Sequence, residues 1–558
     1  MKKYILLFWL VGGIGFLQCK KPSQTVISEN TPTETAVGQK GMVSTAHPLA
    51  TEAGLEILKA DGNAFDAAVA IAAALNVVEP MMSGMGGYGT IVVWDAEKKQ
   101  ARFLNSSSRI PRSVDSDVYR PPTPGYIENR RGAKAVSTPG NVHAWEAMSE
   151  EYGKLKWKNP FQPAIRLAED GFVISEPTAL MIERAYPSFP EHAKTFYGRD
   201  GKPLVAGDRM IQKDLARSLR LIAERGPEVF YEGEIGRAIH ETMKEQEGFL
   251  SIDDLKADRA EWWEPIRIHY RGYEVVTASP PSTAFPSLIR LGMMSRFDNK
   301  ELGHNKTEYL HRFAEVSKHA FWCRLAYAGD PDVTPPPLDR ILSETYWEEE
   351  VRKIHPVKAR PFEYPGILPS EDQHTTHFVV ADRWGNIVCA TQTLGNAFGS
   401  RIMPEGTGIW LNNSLAYCTF EPKDNPMDAH AGHHKLSGDC PTLILRDGKP
   451  WVAVGTPGGH TIGQTVPQMV MNLIDFGMNI QQAIAAPRIS FIEPDIIAID
   501  RRIPESVRSE LEKLGHKIRA TGSIGNAHGL TIEYDSKGKP IRFTGGSDPG
   551  GEGVAKGY

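Results

Sequence analysis

The sequence has few cysteines, no excess of basic charge and no long apolar run beyond its first twenty positions. Five cysteines among 558 residues are too few for the disulfide framework of a small secreted protein. The 63 Lys and Arg against 68 Asp and Glu leave a net charge of −5, which argues against a nucleic-acid partner held through phosphate charge. A membrane-spanning helix needs about 20 apolar residues, so we expect none in the mature chain. The 41% hydrophobic and 23% charged residues are typical of a globular protein with a large core.

The first 40 residues have the pattern of an export signal followed by a tether. Met1–Lys3 provide a positive start, and Tyr4–Phe16 form an apolar stretch too short to span a membrane. Cys19 ends a Phe-Leu-Gln-Cys sequence that resembles a bacterial lipobox, in which the cysteine is acylated. We therefore predict a lipoprotein-type signal peptide over 1–18, a disordered tether over 19–40, and a periplasmic or cell-envelope lipoprotein. A plain signal peptide cut nearby is the alternative.

Several common catalytic and metal-binding patterns are absent from the sequence. It contains no Gly-x-Ser-x-Gly nucleophile turn and no His-Glu-x-x-His zinc motif, and the glycine loop at 81–89 lacks the Lys-Ser/Thr ending of a phosphate-binding loop. The densest ligand-like cluster comprises Asp428, His430, His433 and His434. Its spacings fit no standard zinc site, so we interpret it as a solvated loop and predict no metal.

The four cysteines beyond Cys19 leave the disulfide pattern open. Four cysteines can pair in three full ways, and the sequence selects none of them. Cys389 lies in an apolar, strand-like run, so we expect it to be a buried apolar side chain rather than a reactive thiol.

Helical patterns dominate the first two thirds of the chain and hairpins the last third. Residues 47–60 and 64–78 have helical spacing, and the second segment is apolar nearly all round, which predicts a buried helix. The last third predicts a helix at 461–476 and three hairpins, at 377–394, 442–455 and 531–543. Strands from both halves with long helices between them indicate a layered α/β domain.

Two short segments in the last third suggest catalysis. Gln373–His377 (QHTTH) lies at the junction between the helical and strand-rich parts, although two threonines at that point are by themselves ordinary strand formers. Gly455–Gly459 (GTPGG) follows a hairpin and precedes a helix. Adjacent glycines there can direct two backbone N–H groups at one oxygen, which is what an oxyanion hole requires.

Ordered blocks from Gly41 to Tyr558 carry a resemblance to a known family. They include GMVSTAHPLATEAGLEILKADGNAFDAAVA, GMGGYG, STPGNVHAW, TTHFVVAD, TQTLGNAFGS, GIWLNN and GTPGG. The chain resembles the gamma-glutamyltransferase (gamma-glutamyltranspeptidase) family of N-terminal nucleophile hydrolases, including its acylase-like branch. The resemblance implies an α/β fold of four αββα layers, built from two autoprocessed fragments, 41–374 and 375–558.

The resemblance also implies a mechanism without a metal or an organic cofactor. Thr375 would attack the carbonyl of His374, and the cleavage would make Thr375 an N-terminal residue. Its side-chain oxygen would then be the nucleophile and its α-amino group the base, since an α-amine has an ordinary pKa of about 7.7–8.0. Thr393 matches the threonine that hydrogen-bonds the nucleophile, and Gly458 and Gly459 match the oxyanion-hole pair.

The acyl pocket departs from the family pattern at its charged positions. Ser107 stands where the family has the arginine that binds the substrate α-carboxylate, and we expect Arg109, two residues on, to replace it. Ser414 and Tyr417 stand where glutamyl-binding members have the glutamine and aspartate that grip the α-ammonium group.

Two neutral positions of the pocket change as well. Gly395 replaces a family asparagine, with Asn396 adjacent as the candidate substitute, and the family's Ser-Ser pair becomes Ser437-Gly438. Losing a charge-assisted partner costs about 1.5–3 kcal/mol. These changes together predict weaker selection for glutamyl over other acyl groups.

Three functions remain open at this point. The first is an amidohydrolase or acyltransferase that cleaves gamma-glutamyl amides of the glutathione type through an acyl-enzyme, with transfer to water or an amine. The second is an acylase-like amidase for glutaryl or short dicarboxylic amides. The third is a processed but inactive surface lipoprotein. The expected partners are a small acyl-amide substrate and the two fragments as a heterodimer, with membrane contact through the lipid anchor and no nucleic acid.

Overall fold

The computed structural model describes residues 34–107, 109–120, 128–362, 374–493, 495–522 and 524–558. The predicted signal peptide over 1–18, Cys19 and the tether up to residue 33 lie outside the described residues. Within them the chain forms 21 strands and 18 α-helices.

The strands are β1 (Ala36–Gly38), β2 (Met42–Thr45), β3 (Tyr88–Asp95), β4 (Gln100–Ser106), β5 (Phe172–Val173), β6 (Gly198–Arg199), β7 (Lys202–Pro203), β8 (Arg209–Met210), β9 (Glu261–Trp263), β10 (Ile266–Tyr270), β11 (Tyr273–Thr277), β12 (His374–Ala381), β13 (Ile387–Gly395), β14 (Thr442–Arg446), β15 (Lys449–Gly455), β16 (Ile489–Glu493), β17 (Ile496–Asp500), β18 (Lys517–Thr521), β19 (His528–Tyr534), β20 (Pro540–Ser547) and β21 (Val554–Gly557). The helices are α1 (Pro48–Lys59), α2 (Ala64–Val78), α3 (Asn141–Tyr152), α4 (Gln162–Asp170), α5 (Glu176–Ala185), α6 (Glu191–Tyr197), α7 (Lys213–Arg225), α8 (Glu228–Tyr231), α9 (Glu234–Glu245), α10 (Ile252–Ala257), α11 (Phe285–Met294), α12 (Asn299–Leu302), α13 (Thr307–Tyr327), α14 (Leu338–Ile341), α15 (Glu344–Val351), α16 (Ile462–Ile474), α17 (Ile480–Ala485) and α18 (Glu505–Lys513).

Two seven-stranded antiparallel sheets organise the molecule. The first, sheet I, has the order β1-β20-β19-β15-β14-β11-β10, and the second, sheet II, has the order β21-β2-β12-β13-β3-β4-β9. Strands β16, β17 and β18 form a separate three-stranded sheet that pairs with neither of them. The predicted α/β class is confirmed, with two large antiparallel sheets at its centre.

Sheet II lies between two apolar cores, and the side chains along each of its strands point alternately into one core and the other. Val379 belongs to a buried cluster made of residues from both sheets, whereas its neighbours Phe378 and Val380 pack with α1 to α4. Successive side chains of a strand point to opposite faces, so each sheet-II strand contributes to both cores. Sheet I contributes likewise to a core with α11, α13 and α16. None of the described helices has the length and apolar character needed to cross a bilayer.

The strongest patterns in the sequence form the predicted elements. Every residue of α2 is buried, and Asn63 and Asp66 close its N-terminus as a reciprocal capping box. The three predicted hairpins are the pairs β12–β13, β14–β15 and β19–β20, and the helix predicted at 461–476 is α16. The cysteines of the described part are buried and unpaired, including Cys389 as predicted.

The prediction of a disordered tether over 19–40 is wrong for its last residues. Ala36–Gly38 pair with β20 at the edge of sheet I, and the N–H groups of Gln39 and Lys40 donate to the carbonyl of Tyr558. The edge of a sheet offers unpaired backbone groups, and pairing with them needs no apolar side chains. A polar segment can therefore be ordered by its backbone alone, which composition does not reveal.

Candidate active site

Three adjacent strands of sheet II place Thr375 in a row with two other polar side chains. Thr375 on β12 lies opposite Thr393 on β13, and Thr393 lies opposite Tyr88 on β3. Direct cross-strand partners share one face with their Cβ atoms about 5 Å apart. This face is the one that turns towards sheet I, because Val379 on the same side of β12 belongs to the core between the sheets. All three side chains of the row are buried.

A chain of hydrogen bonds joins the Thr375 hydroxyl to the carbonyl of the preceding residue. Thr375 Oγ1 donates to Thr393 Oγ1 at 3.2 Å, and Thr393 Oγ1 donates to the His374 carbonyl at 2.6 Å. The Gly395 N–H donates to Thr393 Oγ1 at 2.8 Å and fixes that hydroxyl from behind. The strand register shifts between His374 and Thr375, a local irregularity of the kind that re-aims groups beside active sites. The arrangement brings two hydroxyl groups and a carbonyl together beside the peptide bond between His374 and Thr375.

His377, the last residue of the QHTTH segment, connects β12 to Thr391 on β13 and to Gly455 at the end of β15. Its Nδ1 lies 2.8 Å from the hydroxyl of Thr391, and burial together with nearby His528 holds the pKa of the imidazole well below its usual range. A Cβ on Gly455 would lie only 2.3 Å from the His377 ring. Neutral His377 therefore packs directly on the end of β15, where the glycine-rich turn begins.

The turn after β15 contains the two predicted oxyanion-hole glycines, and Gly438 connects it to Tyr417. Gly458 has φ +134° and Gly459 φ +56°, backbone conformations that favour glycine. A Cβ on Gly438 would lie 3.1 Å from Tyr417 and 3.4 Å from the Gly459 carbonyl, so these three residues adjoin one another.

Tyr417, a predicted residue of the acyl pocket, lies beside the Thr375 side chain. Burial and the nearby Asp439 carboxylate raise the pKa of its phenol, while the neighbouring Thr375 side chain lowers it. Ser414 is engaged elsewhere: its hydroxyl bonds the Ser137 hydroxyl, and its N–H donates to Asn412 Oδ1 at 3.1 Å.

The remaining predicted pocket residues have protein partners of their own. The Asn396 N–H donates to Asn413 Oδ1 at 2.8 Å, which anchors the loop after β13. Arg109 lies at the surface, with its side chain 37% exposed, and pairs with Glu261 at 3.1 Å. The guanidinium of Arg109 is therefore already balanced by a carboxylate.

Two buried ionisable side chains, Lys435 and Asp439, lie in the same segment as Ser437, and the sequence patterns did not predict them. Lys435 Nζ lies 3.1 Å from the centre of the Tyr88 ring, and burial holds its pKa well below the usual range. Asp439 accepts from Ser437 Oγ at 2.8 Å and from Thr90 Oγ1 at 3.3 Å, and burial raises its pKa to about 6. The only sign of these residues in the sequence is their position, two residues before and two residues after the predicted pocket residue Ser437.

The interpretation of the histidine-rich segment as a solvated loop is wrong for Asp428 and His434, which are buried. Asp428 pairs with Arg120, and His434 lies 3.5 Å from both Asp330 and Glu261. These partners come from distant parts of the chain. Spacing within the segment could not reveal them.

Two clusters in the described part bring potential metal ligands within 4.8 Å of one another, namely His311, Glu315, His516 and Asp330, Asp332, His434. Glu315 is already paired with Lys318 and Arg360. Asp330 is paired with His434, whose pKa is raised to about 9 by its two carboxylate partners against the opposing effect of burial. Cationic side chains thus already occupy both carboxylates, which favours structural ion pairs over ligand sets.

Comparison with known proteins gives one consistent family. The gamma-glutamyltranspeptidase family model matches residues 50–558. A glutathione hydrolase proenzyme of Bacillus subtilis (strain 168) is 33% identical over 551 residues, covering 94% of this chain and 93% of that protein. An acylase ACY 1 proenzyme of Pseudomonas sp. (strain V22) is 34% identical over 534 residues, covering 92% and 95%. The crystal structure of a cephalosporin acylase from Bacillus halodurans superposes with a TM-score of 0.84 at 28% identity, covering 98% of this chain and 99% of that one. The resemblance inferred from the sequence is confirmed: the chain belongs to the gamma-glutamyltranspeptidase family and is an enzyme of that family.

Proposed function

We propose that the protein is an autoprocessed N-terminal-threonine amidohydrolase and acyltransferase, cleaved between His374 and Thr375. The observation that carries this proposal is the hydroxyl chain from Thr375 through Thr393 to the His374 carbonyl. The proposed product is one four-layer αββα domain built from fragments 41–374 and 375–558. The relatives named as proenzymes support the same processing.

The processing step follows from these contacts. Thr375 Oγ forms a bond to the His374 carbonyl carbon and gives up its proton, while the Thr393 hydroxyl donates to the developing oxyanion. The C–N bond then breaks, the nitrogen takes up a proton to become the α-amine of Thr375, and an ester links His374 to Thr375. Water hydrolyses that ester, leaving a carboxylate on His374 and a free hydroxyl on Thr375.

Turnover in the proposed mechanism reuses the same atoms. The new α-amine of Thr375, with an ordinary pKa of about 7.7–8.0, accepts the hydroxyl proton as Thr375 attacks the substrate amide. The N–H groups of Gly458 and Gly459 are assigned to the oxyanion of the tetrahedral intermediate. The amine leaves with the proton, and water or a second amine takes the acyl group from Thr375.

Gamma-glutamyl amides of the glutathione type are the proposed substrates, supported by the relatives named glutathione hydrolase. An acylase acting on glutaryl or short dicarboxylic amides is the second candidate. It is supported by the cephalosporin acylase structure and by the site itself, since Ser414 is bonded to Ser137 and Tyr417 provides no carboxylate for an ammonium group.

Strand order supports a permanent heterodimer after cleavage. In sheet II, β12 and β13 from the second fragment lie between β2 and β3 from the first, and β21 pairs with β2 on the outside. Separating the fragments would break these three interstrand ladders of sheet II and the β11–β14 ladder of sheet I, so we expect one particle. Export and acylation at Cys19 remain predictions from the sequence.

Thr375→Ala tests the proposal. We expect the variant to stay as a single uncut chain without amidase activity, whereas the wild type gives two bands and the second begins at Thr375 by N-terminal sequencing. Thr376→Ala is the matched control, because Thr376 is on the opposite face and its hydroxyl donates to Glu79 at 2.9 Å. A wild-type chain that stays whole, or that is cut at another bond, would refute the mechanism.

A further inference from the structure

Lys435 carries a buried amine for which the described residues offer no hydrogen-bond acceptor. Its side chain is fully buried, and Nζ finds no acceptor among the residues that the structure describes. Its close neighbours are aromatic faces, at 3.1 Å from the ring centre of Tyr88 and 5.3 Å from that of Tyr417. A buried amine with unused donors is costly, and an anionic ligand removes that cost.

Lys435 lies on the side chain at the far end of the row that begins with the proposed nucleophile, Thr375. Tyr88, which carries the amine on its ring, is the third member of the row with Thr393 and Thr375. Two strand spacings separate the ends of that row, about 10 Å. An acyl group of five carbons, bound at Thr375, has the length to bring its far end to this place.

Lys435 also adjoins the segment in which the family's carboxylate-binding arginine is missing. The neighbouring residue, His434, forms an antiparallel bridge with Arg109, two residues after Ser107. Arg109 itself pairs with Glu261 at the surface. Lys435 is therefore a buried amine close to the Ser107 segment.

Asp439 provides the opposite charge in the same segment. Its Oδ2 accepts from Ser437 and Thr90, but its Oδ1 is buried without a partner among the described residues. No ion pair joins Lys435 to Asp439 among the described residues, although the two lie close enough for Asp439 to raise the pKa of Lys435 against the larger effect of burial. Two buried, unsatisfied groups of opposite sign fit a ligand that carries both charges on one carbon.

Resting on the proposed function, we propose that Lys435 and Asp439 determine acyl specificity: Lys435 binds the carboxylate and Asp439 the ammonium of the α-amino-acid end of the acyl group. The pair substitutes for the charged residues that other family members have at the positions of Ser107 and Tyr417. An acyl group with the carboxylate alone satisfies only Lys435, and an uncharged acyl group satisfies neither residue.

The test compares γ-glutamyl-, glutaryl- and pentanoyl-p-nitroanilide, which share a five-carbon acyl chain. We expect Lys435→Met to lower kcat/KM about tenfold to a hundredfold for the glutamyl and glutaryl compounds while the pentanoyl value changes less than about threefold. Asp439→Asn should lower only the glutamyl value. Lys449→Met is the matched control, because Lys449 also lies over a tyrosine, 5.8 Å from the Tyr534 ring, but on an exposed hairpin.

Three results would overturn the proposal: a uniform loss for all three compounds in Lys435→Met, no loss at all, or a wild type that prefers the pentanoyl compound. If Lys435→Met is not processed, Lys435→Arg has to restore both processing and the preference for charged acyl groups. A wild type that is uncut, or cut but inactive on all three compounds, refutes the proposed function instead. Binding of free L-glutamate then tests the role of Lys435 without any enzymatic activity. We expect L-glutamate to raise the melting temperature of the wild type but not that of Lys435→Met, and the absence of this difference would refute the proposed binding site.

Discussion

At the scale of single residues, the Thr393 hydroxyl is the group whose removal is most informative. It donates to the His374 carbonyl at 2.6 Å, where negative charge would develop during the proposed self-cleavage. Removing one oxyanion donor typically slows a reaction by about 10²–10³-fold. We predict that Thr393→Val slows processing by this factor in a gel time course, while Thr393→Ser, which keeps the hydroxyl, stays near the wild-type rate. Equal rates for the two variants would contradict the relay.

Gly455 has no space for a side chain because the His377 ring packs against it. A Cβ there would lie 2.3 Å from the ring of His377. Overpacking of this kind costs about 1–3 kcal/mol. We predict that Gly455→Ala lowers the free energy of unfolding by that amount in urea. Gly522→Ala, where a Cβ would meet nothing within 4 Å, should be near neutral.

At the scale of elements, a buried ion pair ties the loop after β20 to the residue before β16. The guanidinium of Arg488 donates to Asp548, and both side chains are 2% exposed. Leaving one member of such a pair alone costs about 3–5 kcal/mol. We predict this loss of unfolding free energy for Asp548→Ala. The exposed pair Arg542–Glu533 is the control, since Glu533→Ala should change stability by less than about 1 kcal/mol.

At the scale of the whole molecule, an ion cluster joins the two proposed fragments. His434 belongs to the second, and its partners Asp330 and Glu261 to the first. Burial alone would lower the pKa of the imidazole, but the two carboxylates outweigh it and raise the pKa to about 9. Because the folded pKa exceeds the unfolded value of about 6.5, the stabilisation is fully present below pH 6.5 and is lost as the pH rises through 9.

The corresponding prediction concerns heat stability between pH 6 and pH 10. The wild-type melting temperature should fall across that range by more than the melting temperature of His434→Gln, measured at each pH in one buffer series. Parallel curves for the two proteins would show that His434 is not charged in the folded protein. His269→Gln is a suitable control because His269 is exposed on β10, away from this cluster.

The sequence alone determined the family, the α/β class, the hairpins of the last third and the buried helix α2. Those features depend on local periodicity, turn residues and ordered motifs, which are all written along the chain. It also predicted Thr375, Thr393 and Tyr417 as residues of one site; the register of β12 and β13 sets the two threonines opposite each other, and Tyr417 adjoins Thr375.

The tertiary structure decided which polar groups face each other across long sequence distances. It ordered Ala36–Gly38 on the edge of sheet I, buried His434 between two carboxylates and set Lys435 on the ring of Tyr88, with no acceptor from the described parts of the chain. Burial and charge pairing depend on residues up to several hundred positions apart. The physical reason is that desolvation and Coulomb interactions act through space, so no pattern within a short segment encodes them.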